Sequence, residues 1–200
     1  MKHLLLIMFS LSCLTLNAQT SGGQIVRKPK VHNKQKQYSQ HISFMDIQLG
    51  QSESIVDRML QQKGFRYVGV NNAMLTKMYD GTFWKFQNTR LNTEVNNGVV
   101  TAIRISPSYE IYDKISYFND LVYNLDRKHG SHRNISDFFK SSDIAGRNGF
   151  YWRVSGGYIA TYYAKNPITE KIIISIDYLD NTDKRIILES GSKRNTNNDL

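Results

Sequence analysis

Hydrophobic positions near the start of the globular part of the chain follow the period of a helix. Within Ser52–Lys63, four apolar residues lie on one helical stripe: Ile55, Val56, Met59 and Leu60. Gly64 follows this stretch and can adopt the left-handed conformation that ends many helices. The spacing predicts a short amphipathic helix. Because so short a helix is unstable alone, its apolar stripe must cover another apolar surface.

A second and longer helical pattern lies in the middle of the chain. Ser108 is a candidate N-cap, and Gly130 follows three basic residues that favour a helix C-terminus. Apolar residues recur there at intervals of three and four: Ile111, Ile115, Phe118, Val122 and Leu125. We therefore predict a second helix that ends at His129.

Polar and apolar residues alternate after each helix, as they do in antiparallel strands. Asp80-Gly81 and Asn96-Asn97-Gly98 are typical of hairpin turns, and Lys184–Glu189 is predicted to be a final edge strand. The pattern predicts an α+β fold in which two helices cover one face of an antiparallel sheet. The helices and strands form two tandem helix-plus-β-meander units.

Composition divides the chain into four parts. We predict a signal peptide at 1–18, a basic linker at 19–40, an α+β domain at 41–189 with halves 41–106 and 107–189, and a polar tail at 190–200.

The first 18 residues have the features of a secretory signal. Lys2 precedes the apolar run Leu4–Leu16, which is too short to cross a bilayer, and Ala18 suits the cleavage site. Cys13 is the one cysteine, and lipidation at Cys13 is the alternative to ordinary cleavage. We expect a periplasmic or secreted protein that, once cleaved after Ala18, lacks disulfides and thiolate metal sites.

The positive charge is concentrated in the linker. The chain carries a formal charge of +9, yet Phe44–Leu188 holds 18 basic and 15 acidic residues. The linker has five basic residues and no acid: Arg27, Lys28, Lys30, Lys34 and Lys36. We interpret it as a solvated spacer or an arm that adheres to an anionic surface, and the mixed charges of the domain argue against specific nucleic-acid binding.

The residues that open the first helix resemble the corresponding stretch of a known group of proteins. Its opening, LGQS-x-x-x-V-x-x-x-L-x-x-KGF from Leu49 to Phe65, together with the signal peptide and the helix-then-meander order, resembles the BLIP-like group of small envelope proteins. That group includes one-unit outer-membrane assembly lipoproteins. The resemblance covers the order of elements over about Ile47–Tyr178 and implies a non-catalytic scaffold that binds through a sheet face. The chain departs from the group in its predicted lack of disulfides and in a poor lipidation motif at Cys13.

Aromatic and basic residues suggest where such a face would bind. The alternation places five residues opposite the helices: Phe83, Lys85, Tyr151, Arg153 and Tyr163. Such side chains combine a large contact area with a polar group. We predict that this face recognises an envelope protein or a glycan. A buried structural face is the alternative.

Two other functions remain open from the sequence. One is a metal-dependent or acid/base hydrolase that uses His129 and His132, with Asp126 at the same spacing. The other is a structural component of an envelope assembly. The chain has no nucleophile elbow and no phosphate-binding loop, so we predict no catalytic residue and no cofactor. We also predict no metal, because His129 and His132 would share a helical face only if the helix continued past Gly130.

Overall fold

The structure, a computed structural model, describes residues 41–107, 115–166, 168 and 171–195. Its strands and helices, in chain order, are β1 (Ser43–Phe44), β2 (Ile47–Gln48), α1 (Glu53–Gln62), β3 (Arg66–Asn71), β4 (Thr76–Phe83), β5 (Phe86–Asn96), β6 (Val99–Pro107), α2 (Ile115–His129), β7 (Arg133–Asn134), β8 (Asn148–Val154), β9 (Gly157–Lys165), β10 (Ile172–Asp180) and α3 (Lys184–Asn195). A single 3-10 turn, Ile135–Asp137, follows β7.

Eight strands form one antiparallel sheet in the order β3-β4-β5-β6-β10-β9-β8-β7. Each of the first two helices is followed by a meander, and β6 pairs with β10 to join the two meanders. The predicted α+β class, with an antiparallel sheet and helices, is confirmed.

Helices α1 and α2 cover the same side of the sheet, which we call the helical face. Val56 and Leu60 of α1 and Phe118 and Leu125 of α2 belong to one buried cluster with apolar side chains of β4, β5, β6, β8, β9 and β10. The hairpin of β1 and β2 adds Phe44 to this cluster. Burial of the two helical stripes is the main apolar contribution on this side.

The first helix follows the predicted pattern with one exception. Its buried residues are Val56 and Leu60, and Gly64 adopts the left-handed conformation with φ of 88°. Ile55, predicted on the buried stripe, is 37% exposed. Ser52 is the N-cap residue, but its side chain makes no cap hydrogen bond in this helix.

The predicted turn at Asp80-Gly81 is wrong. Both residues lie inside β4, and the chain turns at Trp84-Lys85, since Phe83 pairs with Phe86. Gly81 serves packing instead, because a Cβ there would lie 2.5 Å from the ring of buried Phe65. The turn at Asn97-Gly98 is as predicted, with φ of 50° and 79°.

The predicted edge strand at Lys184–Glu189 is also wrong, because these residues open α3. Asp183 favours the helix, since its carboxylate accepts a hydrogen bond from the Arg185 N–H at 2.9 Å, as an N-cap does. Ile186 and Glu189, three residues apart, are buried on the side of α3 that faces the domain.

Several sequence-based predictions lie outside the described residues: the signal peptide, the basic linker, the start of the second helix with Ile111, and the end of the polar tail. Within the described residues, every helix is too short or too polar to cross a membrane.

Candidate functional site

The side of the sheet away from α1 and α2, which we call the opposite face, is organised in rows across the strands. Residues paired across adjacent strands share a face. One row contains Arg66, Asp80, Arg90 and Ser106. The next contains Gly69, Met78, Asn92, Arg104, Asp177, Ala160 and Tyr151.

Over strands β7 to β10, the chain covers its own opposite face. We call this the covered half. Its buried cluster joins side chains from the segment between β7 and β8, from α3 and from the strands: Ala102, Ile135, Phe138, Phe139, Ile144, Tyr151, Tyr158, Ala160, Tyr162, Leu179 and Ile186. The rings of Phe138 and Tyr158 stack with centroids 4.9 Å apart. This half is a second core.

Tyr151 and Arg153 are on the opposite face as predicted, but they do not form an open surface together. Tyr151 is only 5% exposed because Phe138 and Phe139 pack on its ring. Arg153 is exposed, and its charge lies near the hydroxyl of Tyr158.

Phe83 and Tyr163 are on the helical face, contrary to the prediction. Tyr163 pairs with Ile174, and its ring centroid lies 4.9 Å from that of Phe118 in α2. Phe83 packs on Phe44 with ring centroids 5.7 Å apart. The wrong position predicted for the turn explains the wrong face predicted for Phe83. Moving the turn changes which residues of the hairpin lie on each face of the sheet.

Lys85 lies in the β4–β5 turn and contacts α2. Its ammonium group is 2.6 Å from the Asp120 carboxylate. The same group lies 4.3 Å from the ring centroid of Trp84 and 4.5 Å from that of Tyr117. The five predicted contact residues are therefore divided among the helical face, a buried position of the opposite face and the exposed surface. The prediction that they form a single binding face is wrong.

The two histidines of the alternative hydrolase hypothesis have different surroundings. The Asp126 carboxylate accepts hydrogen bonds from the Trp152 indole and the His132 backbone, and it lies 3.0 Å from the His132 ring. Burial opposes ionisation of Asp126, but these hydrogen bonds outweigh it and lower its pKa. Burial, together with the neighbouring Lys128 charge, lowers the pKa of His129. The described residues contain no group of three or more His, Cys, Asp or Glu placed to hold a metal ion. The Asp126 arrangement instead attaches the end of α2 to β8.

Over strands β3 to β5, the opposite face is polar, and we call this the open half; β6 is the boundary, since its Ala102 belongs to the covered cluster. Arg90 donates to the Asp80 carboxylate at 2.6 Å and also contacts the Met78 sulfur. Arg66 is exposed, whereas Met78, Asp80, Arg90 and Asn92 are half-exposed. Charges of both signs thus lie beside each other on this part of the sheet.

A buried ion network lies where the open and covered halves meet. Arg104 forms a two-pronged hydrogen bond with the fully buried Asp177, at 2.9 and 3.0 Å, and a third with Asp143 at 2.8 Å. The Tyr162 hydroxyl donates to the same Asp177 carboxylate at 3.2 Å. Burial and the neighbouring Asp177 charge raise the pKa of Tyr162, so it remains protonated at neutral pH.

Arg185 of α3 forms the other part of the network. It donates twice to buried Asp183, at 2.8 and 3.1 Å, and once to Glu94 at 3.0 Å. Thr101 donates to Asp183 as well. Buried guanidinium groups with several carboxylate partners fix the position of α3 relative to β5 and β6.

The network contains more acid than base. Four carboxylates, those of Glu94, Asp143, Asp177 and Asp183, surround the two guanidinium groups of Arg104 and Arg185. Burial raises the pKa of Glu94, although both arginines oppose this. The network therefore has two more acidic than basic groups.

Two clefts lie at the ends of the open half. One, of about 400 Å³, is lined by polar residues of β3, β4 and β5, including Arg66, Asp80 and Arg90. The other, of about 300 Å³, adjoins the ion network, and apolar side chains line it together with two acids, one base and three polar residues: Glu94, Asp183, Lys184, Thr76, Asn96 and Thr101. We call the second the acidic cleft.

None of the network residues was predicted as a site residue from the sequence. Arg104 and Asp177 did give a signal, because each is a charged residue inside a strand of otherwise apolar or small residues. A buried charge requires a partner, so these two residues were candidates for a pair. Arg185 of α3, which lies 3.7 Å from Asp177, was hidden by the wrong prediction of a strand there.

No protein-family model matches the chain. No curated protein and no solved structure matches either.

Proposed function

We propose that this protein is an exported, non-catalytic binding module that recognises an envelope protein through the open half of its sheet. The observation that carries the proposal is the difference between the two halves of the opposite face. The chain covers one half with its own aromatic residues, while the other half presents half-exposed charged and polar side chains beside two clefts.

The charge pattern favours a protein as the partner. Arg66, Asp80 and Arg90 alternate in sign along one row, which complements a surface of mixed charge rather than a polyanion. The acidic cleft adds an apolar rim of Met74, Leu75 and Val95, of which Leu75 is 81% exposed. Apolar contacts beside ordered charges are typical of protein interfaces.

A glycan is the weaker candidate for this surface. Sugar rings commonly stack on exposed aromatic side chains, and the rows of the open half that the structure describes carry none. The exposed Trp84 lies at the β4–β5 turn and packs against Phe86, on the helical side. The BLIP-like resemblance, which implies binding through a sheet face, agrees with a protein partner.

The test is a pull-down from envelope extract with a charge-swapped pair. Asp80→Arg combined with Arg90→Asp keeps an ion pair on the sheet but reverses its direction. We expect a partner retained by the wild type to be lost, because the charges that meet it become repulsive. Arg153→Glu, outside the open half, is the matched control and should retain the partner.

Thermal unfolding of each variant accompanies the pull-down, so that loss of binding is separated from loss of fold. Recovery of the same partner by the folded swapped variant would contradict the proposal. Release of a soluble glycan from the wild type, with no protein partner, would favour the glycan instead.

A further inference from the structure

Two oxygen atoms of residues that line the acidic cleft lack a hydrogen-bond donor. Thr76 is 3% exposed, and its hydroxyl has no hydrogen-bond partner among the described residues. Glu94 accepts a hydrogen bond from Arg185 at Oε2, but its Oε1 accepts none from the described residues and lies 4.0 Å from the Arg104 guanidinium. The register of β4 and β5 places Thr76 and Glu94 opposite each other on one face, so a donor between them satisfies both.

The charge around these two oxygens favours a cation as the donor. The ion network has four carboxylates against two guanidinium groups, and the Lys184 ammonium in the cleft wall leaves one formal negative charge in excess. Lys184 itself makes no ion pair with the acids that the structure describes. A buried acceptor without a donor costs free energy, so a ligand that supplies both a donor and a positive charge is favoured.

The placement of the free acceptors favours an ammonium group over a guanidinium group. A guanidinium binds best to both oxygens of one carboxylate, and Arg185 already occupies one oxygen of Glu94. An ammonium group is compact and has three donors that point in separate directions, so it can donate to Glu94 and to Thr76 together.

The rim of the cleft suits the apolar part of a lysine side chain. Met74, Leu75 and Val95 line the cleft and are exposed. Leu75 holds a φ of 54°, which bulky residues rarely adopt, and strained positions of this kind cluster at binding and catalytic sites. The methylene groups of a lysine can pack on these three side chains while its ammonium group reaches the acids.

We propose that the acidic cleft binds a lysine side chain of the partner protein, with the ammonium group between Glu94 Oε1 and Thr76 Oγ1. This inference rests on the proposed function and adds the chemistry of the partner, which presents a protruding lysine beside a surface of mixed charge. The charge swap at Asp80 and Arg90 tests the partner, and a small lysine probe tests the cleft without one.

The two proposals can therefore fail separately. Binding of the probe in the cleft, with no partner retained in the pull-down, would contradict the proposed function alone. A retained partner, with no binding of the probe in the cleft, would contradict the lysine site alone.

The probe is N-acetyl-lysine methylamide, and N-acetyl-norleucine methylamide is the matched neutral compound that lacks the ammonium group. Each is titrated into the isotopically labelled full chain at low ionic strength, and NMR spectra follow the assigned backbone amide signals. We expect the lysine probe to shift the signals of Thr76, Glu94, Asn96 and Asp183 until they saturate, and the norleucine probe to leave them unchanged. High salt should weaken the binding, because screening reduces the attraction between partly exposed charges.

Three variants separate binding from folding. Thr76→Val keeps the shape of the side chain but removes the hydroxyl, so the lysine probe should bind about tenfold more weakly while the unfolding temperature is unchanged or higher. Thr93→Val is the matched control, because Thr93 is 1% exposed on the helical face outside the cleft, and it should leave the probe affinity unchanged. Lys184→Gln removes a competing positive charge and should tighten binding about two- to threefold.

Three results would overturn the proposal. One is an equal response to both probes, since the cleft would then bind apolar groups rather than a cation. Another is an unchanged affinity of Thr76→Val for the lysine probe. The third is the lack of a saturable shift in the cleft, including the case in which the shifts fall near exposed acids such as Asp46 instead.

Discussion

The covered half and the open half belong to one face of one sheet, yet they differ in chemistry. In the covered half, the residues after α2 return across the sheet, and α3 adds Ile186 to the same cluster. In the open half, the connections between strands are short turns, and the face remains polar. The repeated order of helix and meander therefore does not make the two halves equivalent, because among the described residues the second apolar layer lies over the covered half alone.

The residue patterns of the strands differ in the same way between the two halves. The β5 residues Arg90 to Glu94 alternate polar with apolar or small, as expected for a strand with one wet face. The β9 residues Tyr158 to Tyr162 are all buried, and they form a nearly continuous apolar run. Such a run is typical of a strand that is covered on both faces.

The largest expected effect comes from opening the covered half. Phe139→Ala removes a side chain that is 1% exposed, and we expect a loss of about 3–5 kcal/mol in the free energy of unfolding. Met78→Ala, on the open half, removes a half-exposed side chain and should cost about 1 kcal/mol. Urea unfolding measures both. Equal losses would mean that the two halves are buried alike, and the comparison would be wrong.

The boundary between the halves depends on Arg185. Arg185→Met leaves Asp183 buried without its guanidinium partner, and breaking such a pair costs about 3 kcal/mol. We expect α3 to detach first, since this arginine connects it to Glu94 of β5. Hydrogen exchange should therefore increase in α3 more than in β3 or β4. Uniform protection in a stable variant would contradict this role.

The helices and the sheet class were predictable because their periods are strong. Val56 and Leu60 of α1 and Phe118 and Leu125 of α2 are buried as the helical spacing indicated. The turn at Trp84-Lys85 was not predictable from turn preferences, because Trp84 adopts a φ of 54° that bulky residues rarely take. Tertiary packing of Phe65 against Gly81 outweighs the local preference of Asp80-Gly81 for a turn.

The candidate site was less predictable than the fold. An aromatic residue such as Tyr151 looks the same in a sequence whether it binds a partner or fills a second core. The ion network joins residues far apart in the chain, such as Arg104 and Asp177, which are 73 positions apart. Periodicity describes a single element and contains no information about which elements meet.

A smaller effect tests the electrostatics of the acidic cleft. Burial raises the pKa of Glu94, so the folded state holds this proton more tightly than the unfolded state does. Stability of the wild type should therefore fall as pH rises from the unfolded-state pKa of Glu94 through its folded-state pKa. Glu94→Gln should remove that part of the decrease while keeping an acceptor for Arg185.

The measurement is urea unfolding of wild type and Glu94→Gln across the acidic range. The difference in unfolding free energy should shift in favour of the variant as pH rises. A shift in favour of the wild type would indicate that Arg185 and Arg104 stabilise the Glu94 charge by more than burial penalises it.

The smallest change in stability is expected at the edge of the covered half, where the apolar layer ends. Tyr151 and Arg153 are two residues apart on β8 and face the same way, but only Tyr151 lies under Phe138 and Phe139. Arg153→Ala should change the free energy of unfolding by no more than about 0.5 kcal/mol, because an exposed side chain loses little contact on truncation. Thermal unfolding measures the change. A cost near that of Phe139→Ala would place Arg153 under the cover, and the covered half would then extend to the end of β8.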